Sequence, residues 1–270
     1  MPLPGRIVDV SAGEFFFRAP DSVPAGLTTF RLRQIGDVLT GAKKTEAENL
    51  APAGPGNDPT RAFHMLWLVR LDDGKTVSDW YSATVKKEPT PWARDIGGPG
   101  FAAPPRSSNA TLMLEPGTYV LVCHVGSARE DRSRYHLLKG MFRPLTVVPS
   151  HGRSASLPNA DVTARITGTG QIRLSAAIGR GRQVIRVVNE TPKYHEFAVR
   201  RLQRGRSTAE AVTWRRTDGT KNPVEPWGGF SDVPPGATLT TTVAFESGTY
   251  LFWTGRGPET SIAVTVTPTG

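Results

Sequence analysis

Several features are scarce in this 270-residue chain, and each scarcity argues against a class of protein. A single cysteine, Cys123, excludes an internal disulfide. No run of about 18 apolar residues occurs, so we expect no membrane-spanning helix. The first residues lack a charged segment followed by an apolar one, so no signal peptide is visible. The net charge of +9 is spread without a dense basic stripe, which argues against a nucleic-acid partner.

Glycine and proline, in contrast, are abundant. The 28 glycines and 23 prolines interrupt short apolar runs, which favours many short strands joined by tight turns. Residues 76–87 differ, because their apolar side chains recur at helical spacing. Thr76 with Asp79 three residues later is typical of a capping box at a helix start. We therefore predict an all-β fold that includes a short helix.

Two parts of the chain resemble each other. The run FHMLWLVRL at residues 63–71 has a counterpart, YHEFAVRRL, at residues 194–202, which begins 131 residues later (63 to 194). Further motifs recur at the same interval: Thr76/Asp79 with Ser207/Glu210, Gly97-Gly98 with Gly228-Gly229, and Gly117-Thr118-Tyr119 with Gly248-Thr249-Tyr250. A constant interval predicts two copies of one domain, residues 1–150 and residues 151–270.

The earlier strands of the two copies match at a larger interval. Gly26–Gln34 pairs best with Gly181–Asn189, 155 residues later (26 to 181), and residues 36–61 absorb the difference. Those residues are polar and rich in glycine and proline. We interpret them as a long surface loop inserted in the first copy only.

Residues with metal-binding side chains cluster in the first copy. The apolar run Tyr119–Val122 leads into Cys123, and His136 and Met141 follow. His64 lies in the strand-like run at residues 63–71. A thiolate, two imidazoles and a thioether form the ligand set of a copper electron-transfer site.

With this motif in place, each half of the chain resembles a cupredoxin, the small Greek-key β-sandwich of the blue-copper proteins. The resemblance implies two tandem sandwiches, each with one short helix. It also implies one copper ion in the first copy, bound by His64, Cys123, His136 and Met141. Electron transfer to a redox partner protein and a periplasmic or extracellular location are further implications of the resemblance.

Two features depart from the family pattern. Twelve residues separate Cys123 from His136, where simple blue-copper proteins have only a few. The second copy retains a histidine, His195, but has Thr254 at the position of Cys123 and no later histidine. The second copy is therefore predicted to bind no metal, and a histidine at this strand position has either a relic or a structural role.

These departures leave a second function open. The chain could be a metal-free tandem sandwich that serves as a binding or structural module of the cell envelope. A multicopper oxidase is disfavoured, because its mononuclear and trinuclear sites need many more imidazoles than the five histidines present, His64, His124, His136, His151 and His195. The sequence therefore favours a carrier over an enzyme.

Overall fold

The computed structural model describes most of the chain. The described residues are 2–13, 15–35, 64–125, 135–150, 155–214, 222–255 and 258–267. The predicted insertion at residues 36–61 lies outside them, as do most of the residues between Cys123 and His136.

The described residues of the first half form nine strands, one α-helix and one 3₁₀ turn. These elements are β1 (Arg6–Gly13), β2 (Phe16–Arg18), β3 (Ser22–Pro24), β4 (Gly26–Gln34), β5 (Trp67–Leu71), α1 (Val77–Lys86), β6 (Ala93–Asp95), β7 (Ser107–Leu114), β8 (Gly117–Val122), the 3₁₀ turn (His136–Lys139) and β9 (Phe142–Val148). The predicted helix is thus confirmed, whereas the predicted strand at residues 63–71 begins only at Trp67.

The second half contains the corresponding elements. They are β10 (Val162–Thr167), β11 (Gln171–Leu174), β12 (Gly181–Asn189), β13 (His195–Leu202), α2 (Thr208–Thr213), β14 (Val224–Val233), β15 (Thr238–Phe245), β16 (Gly248–Trp253), a 3₁₀ turn (Pro258–Thr260) and β17 (Ser261–Val266). Neither α-helix in the described part of the chain has the length and apolar composition needed to cross a membrane.

Local chemistry explains why the two halves form the same elements. Thr76 and Asp79 form a reciprocal capping box at the start of α1, as predicted, and Ser207 and Glu210 do the same for α2. The repeated Gly-Thr-Tyr motif also has a defined role, because each tyrosine hydroxyl donates to the carbonyl four residues earlier. Tyr119 bonds to Glu115 at 2.9 Å, and Tyr250 bonds to Glu246 at 3.2 Å.

The strands pair in the same way in both halves. β1 runs parallel to β4 and β4 antiparallel to β7, just as β10 runs parallel to β12 and β12 antiparallel to β15. In the facing sheets, β8 lies between β5 and β9, and β16 lies between β13 and β17. Each half is therefore a two-sheet sandwich, and the described part of the chain is all-β apart from its short helices, as the sequence motifs predicted.

The two sandwiches share one sheet. β7 and β15 are equivalent strands of the two copies, and they lie antiparallel to each other with Thr111 opposite Thr240. The Asn109 side chain reinforces this seam, because its amide donates to the Thr242 carbonyl at 2.7 Å and accepts from the Thr242 N–H at 2.8 Å. The result is one sheet in the order β11-β10-β12-β15-β7-β4-β1-β2.

The larger of two hydrophobic clusters among the described residues extends through both halves, and a small second cluster of Ala211, Val224 and Leu251 lies in the second half. Phe30 and Leu32 of the first half and Phe197 and Phe230 of the second belong to the same cluster of fully buried side chains. A division between residues 150 and 151 stays a prediction, since the sheet and the core both cross from one copy to the other.

Candidate metal centre

Cys123 directly follows the central strand β8. The strand is apolar on both faces because it lies inside the sandwich and against helix α1. The thiol is fully buried, and the Cys123 backbone N–H donates to the Met141 carbonyl at 3.1 Å. This bond fixes the end of the strand against the segment that leads into β9.

His136 returns to Cys123 despite the long separation in sequence. The His136 N–H donates to the Val125 carbonyl at 3.0 Å, and the His136 carbonyl accepts from the Met141 N–H at 3.0 Å. A 3₁₀ turn therefore begins beside the end of β8 and directs its first side chain inward. Closure of a longer loop costs little extra entropy, so the sequence gap does not prevent this approach.

His64 lies just before β5 and is held by the side chain of Gln34, the last residue of β4. The Gln34 amide group donates to the His64 carbonyl at 2.9 Å, and its oxygen accepts from the His64 N–H at 3.2 Å. Both backbone groups of His64 are thus tied to one side chain from the facing sheet. We identify Gln34 as a positioning residue that sequence reasoning missed.

Three donor atoms converge at this point. The Nδ1 atoms of His64 and His136 are 3.1 Å apart, and the Sγ of Cys123 is 3.4 Å from the His136 Nδ1 and 4.0 Å from the His64 Nδ1. All three side chains are buried, and they are the group of potential metal ligands found among the described residues. Donors about 2.0–2.3 Å from a common ion in a trigonal plane stand about 3.5–3.8 Å apart, so the spacing suits one small metal ion.

Burial keeps the His136 imidazole neutral. Loss of solvation, followed by the effect of His64, lowers the pKa of His136 to about 3. A neutral imidazole presents the lone pair that a metal ion requires. The centre therefore needs no deprotonation of His136 before it can bind a metal at neutral pH.

Met141 is fully buried. Its backbone is hydrogen-bonded to both Cys123 and His136, as described above, which fixes the residue at the centre. Its role as an axial thioether ligand stays a prediction.

His124 faces away from the three donors, as its position next to Cys123 in an extended segment predicts. Its ring makes edge contacts with Trp67 at 5.3 Å and with Trp80 of α1 at 6.5 Å between centroids. Burial lowers the pKa of His124 to about 4. The residue belongs to the packing beneath α1.

In the second half, the side chains at the equivalent position are hydrogen-bonded to protein groups. The His195 Nε2 lies 2.9 Å from the Thr191 hydroxyl, and the Thr254 hydroxyl donates to the Gly170 carbonyl. The histidine at this strand position thus has a structural role in the second copy, which is one of the two readings that the sequence left open. Thr254 fills the place of the thiol with a hydroxyl that is already hydrogen-bonded.

We expect loss of the Gln34 side chain to weaken metal binding at this centre. Gln34→Ala frees both His64 backbone groups, and we predict a fall in copper affinity of about 10–100-fold, as is typical when a group that orients a ligand is removed. Gln34→Glu keeps an acceptor for the His64 N–H, so its copper affinity should lie between those of Gln34→Ala and the parent protein. Competition titration with a chelator measures the affinity, with Gln183→Ala on β12 as control. Equal affinities of Gln34→Ala and the parent protein would contradict the positioning role.

No protein-family model and no curated protein matches the chain. Solved structures with similarity include auracyanin B, at 18% identity and a TM-score of 0.30, with 55% of this chain and 93% of that chain covered. Dithionite-reduced auracyanin from Roseiflexus castenholzii matches at 16% identity and a TM-score of 0.27, with 54% and 98% covered. Copper nitrite reductase from Nitrosomonas europaea matches at 12% identity and a TM-score of 0.25, with 98% and 83% covered. Likeness at these values carries no argument about function.

Proposed function

We propose that this protein binds one copper ion between His64, Cys123 and His136, with Met141 as a fourth ligand, and that it acts as a one-electron carrier. The convergence of two imidazole nitrogens and one thiol sulfur in a buried position carries the proposal. A redox partner protein and a periplasmic or extracellular location are parts of it. The second sandwich then serves as a metal-free scaffold.

The donor types support copper over other metal ions. A thiolate with two imidazoles in a trigonal set, and a thioether nearby, is the arrangement that favours copper, whereas structural zinc sites prefer four strong ligands in a tetrahedron. Copper bound there would supply a transition between its +1 and +2 states. The thiolate would also give the oxidised centre an intense visible colour.

The surroundings of the donors support electron transfer over substrate turnover. Each ligand is attached to a strand end or to a short turn that is hydrogen-bonded to its neighbours, so the donors have little freedom to rearrange. Burial of all three side chains excludes bulk water from the ion. A rigid, dry site changes little between two oxidation states, which is the property that a carrier requires.

Addition of Cu(II) to the purified protein tests the proposal. We expect one equivalent of copper to bind and to produce an intense thiolate-to-copper absorption band that disappears reversibly on reduction. Cys123→Ser should abolish the band. His64→Ala should abolish or strongly weaken it, whereas His195→Ala, the matched change in the second copy, should leave it intact.

The opposite result would favour the other function. A protein that stays colourless and retains no copper after dialysis is not a copper carrier. That outcome would support the metal-free tandem sandwich, with the buried histidines as structural residues in both halves.

A further inference from the structure

Phe15 has an unusual backbone conformation next to the metal centre. It precedes β2 in the turn after β1, and its φ angle is 63°, in the left-handed region that bulky side chains avoid. Among the described residues, the other non-glycine residue with a positive φ is Lys87, which ends helix α1 and so follows a common pattern. The pairing of Gly13 with Phe16 makes Phe15 the second residue of a two-residue hairpin loop, a position where a positive φ is common but is usually adopted by glycine or asparagine. A bulky residue kept in this region is a reason to look for function at the site.

The Phe15 ring packs against a proposed metal ligand. Its centroid lies 5.3 Å from that of the His136 ring, with the two planes at 75°. His136 begins a surface turn in which the preceding residue, Tyr135, is 36% exposed, yet His136 itself is only 2% exposed. The aromatic ring of Phe15 is thus one of the groups that cover the His136 imidazole.

The second copy shows what this turn contains where no donor cluster exists. Gly170 precedes β11 as Phe15 precedes β2, and its φ angle is also positive, at 118°. A Cβ atom on Gly170 would lie 3.0 Å from the Thr254 hydroxyl and 3.2 Å from Cε1 of His195. The turn thus faces the equivalent position in both copies. In the second copy, which has no donors, this turn position is a glycine, the residue suited to a positive φ. In the first copy, beside the donors, it is a phenylalanine.

We propose that Phe15 is a positioning and shielding residue that closes the His136 side of the centre to water and small anions. This inference rests on the proposed function, because it assigns Phe15 a role toward the bound ion. The hairpin turn sets the positive φ, and phenylalanine at this position places its ring against His136. Removal of the ring would open a path along His136 to Cys123, whose Sγ is 3.4 Å from the His136 Nδ1.

Two measurements test the shield. In the copper-free protein, Cys123 is the single thiol of the chain, so its rate of alkylation by iodoacetamide reports access to the centre directly. In the copper-loaded protein, azide titration followed by the visible spectrum reports access of an anion to the ion, and voltammetry gives the reduction potential. We expect Phe15→Ala to raise the alkylation rate and the azide affinity at least about tenfold and to shift the potential.

Matched variants separate the shield from a general loosening of the turn. Phe16→Ala removes the neighbouring ring, which lies 5.4 Å from the Arg18 guanidinium, and should leave all three readouts unchanged. Phe15→Leu restores apolar volume and should recover much of the protection. Equal alkylation rates in Phe15→Ala and the parent protein, or equal increases in Phe15→Ala and Phe16→Ala, would overturn the inference. The alkylation test needs no metal, so it stands even if the copper titration fails.

Discussion

Gly98→Ala is expected to destabilise the protein and to weaken copper binding together. A Cβ atom at Gly98 would lie 2.1 Å from the Leu66 carbonyl oxygen, a distance at which the backbone has to move. The segment cannot move freely, since the Leu66 N–H donates to Pro99 at 3.0 Å and the Leu68 N–H donates to Gly97 at 2.9 Å. We expect the free energy of unfolding to fall by about 2–4 kcal/mol, as for other overpacked sites.

The effect on copper follows from sequence proximity. Leu66 is two residues from His64, so a displaced Leu66 carbonyl moves the ligand that Gln34 holds. We expect copper affinity to fall about 10-fold or more in Gly98→Ala, measured beside denaturant unfolding of the metal-free protein.

The repeat provides the control for this experiment. Gly229 is the counterpart of Gly98, and a Cβ there would lie 1.9 Å from the Phe197 carbonyl oxygen in the copy without donors. Gly229→Ala should destabilise the protein at least as much but lower copper affinity less than Gly98→Ala does, because its effect reaches Leu66 only indirectly, through the hydrogen bond from the Ser231 hydroxyl to the Leu66 carbonyl at 2.7 Å. If both variants lose copper affinity equally, the loss reflects general destabilisation, and the segment before β5 does not position His64.

The contribution of Asp95 to the free energy of unfolding is expected to fall as the pH rises from about 4 to about 7. Burial, with a smaller contribution from the nearby Asp232, raises the pKa of this carboxyl group from 3.8 to about 7, against the opposing effect of a hydrogen bond from the Gly97 N–H. Between these values the folded protein holds a proton that the unfolded chain has released. The Asp95 contribution to stability therefore declines with rising pH across this window, by about 1–3 kcal/mol, while the lowered pKa values of His124 and His136 act in the opposite direction.

Denaturant unfolding of the parent protein and of Asp95→Asn, both copper-free, at about pH 5 and about pH 7.5 isolates this contribution, because the histidines are the same in both proteins. Asp95→Asn should gain stability relative to the parent protein as the pH rises. Asp9→Asn should show no such change relative to the parent, because the hydrogen bond from Arg31 lowers the pKa of Asp9 and its contribution falls below the window. Asp95 and Asp232 lie in different halves of the chain. Asp232 also links the halves directly, because it accepts a hydrogen bond from the Trp67 indole at 2.8 Å. An unchanged pH dependence in Asp95→Asn would contradict the assignment.

Local patterns in the sequence predicted much of the fold. The capping pairs, the Gly-Thr-Tyr motifs and the apolar runs each form through contacts within a few residues, so their repetition at a constant interval identified equivalent elements. The sequence shows that Gly97-Gly98 and Gly228-Gly229 are equivalent, but it does not show why glycine is required there. Close approach of Gly98 to Leu66 depends on two segments that are distant in the chain.

The candidate site was predictable in its residue types but not in its supports. Cys123 and His136 could be named because thiol and imidazole chemistry is specific, and the structure brings both to His64. From the sequence, Gln34 is notable only because it matches Asn189 at the 155-residue interval. Both residues carry a side-chain amide and are the last residues of equivalent strands. The role of Phe15 could not be read from sequence, because it depends on a backbone angle set by the turn between β1 and β2.

The pairing of β7 with β15 means that the contact between the two copies does not depend on protein concentration. Equivalent strands in antiparallel contact are related as in a symmetric dimer, in which each subunit covers the open strand edge of the other. Here both subunits are on one chain, so the contact has an effective concentration that dilution cannot reduce. Because the two copies are joined covalently, they need not keep the same residues. The first copy carries the metal donors, whereas the second needs only to cover the strand edge of the first.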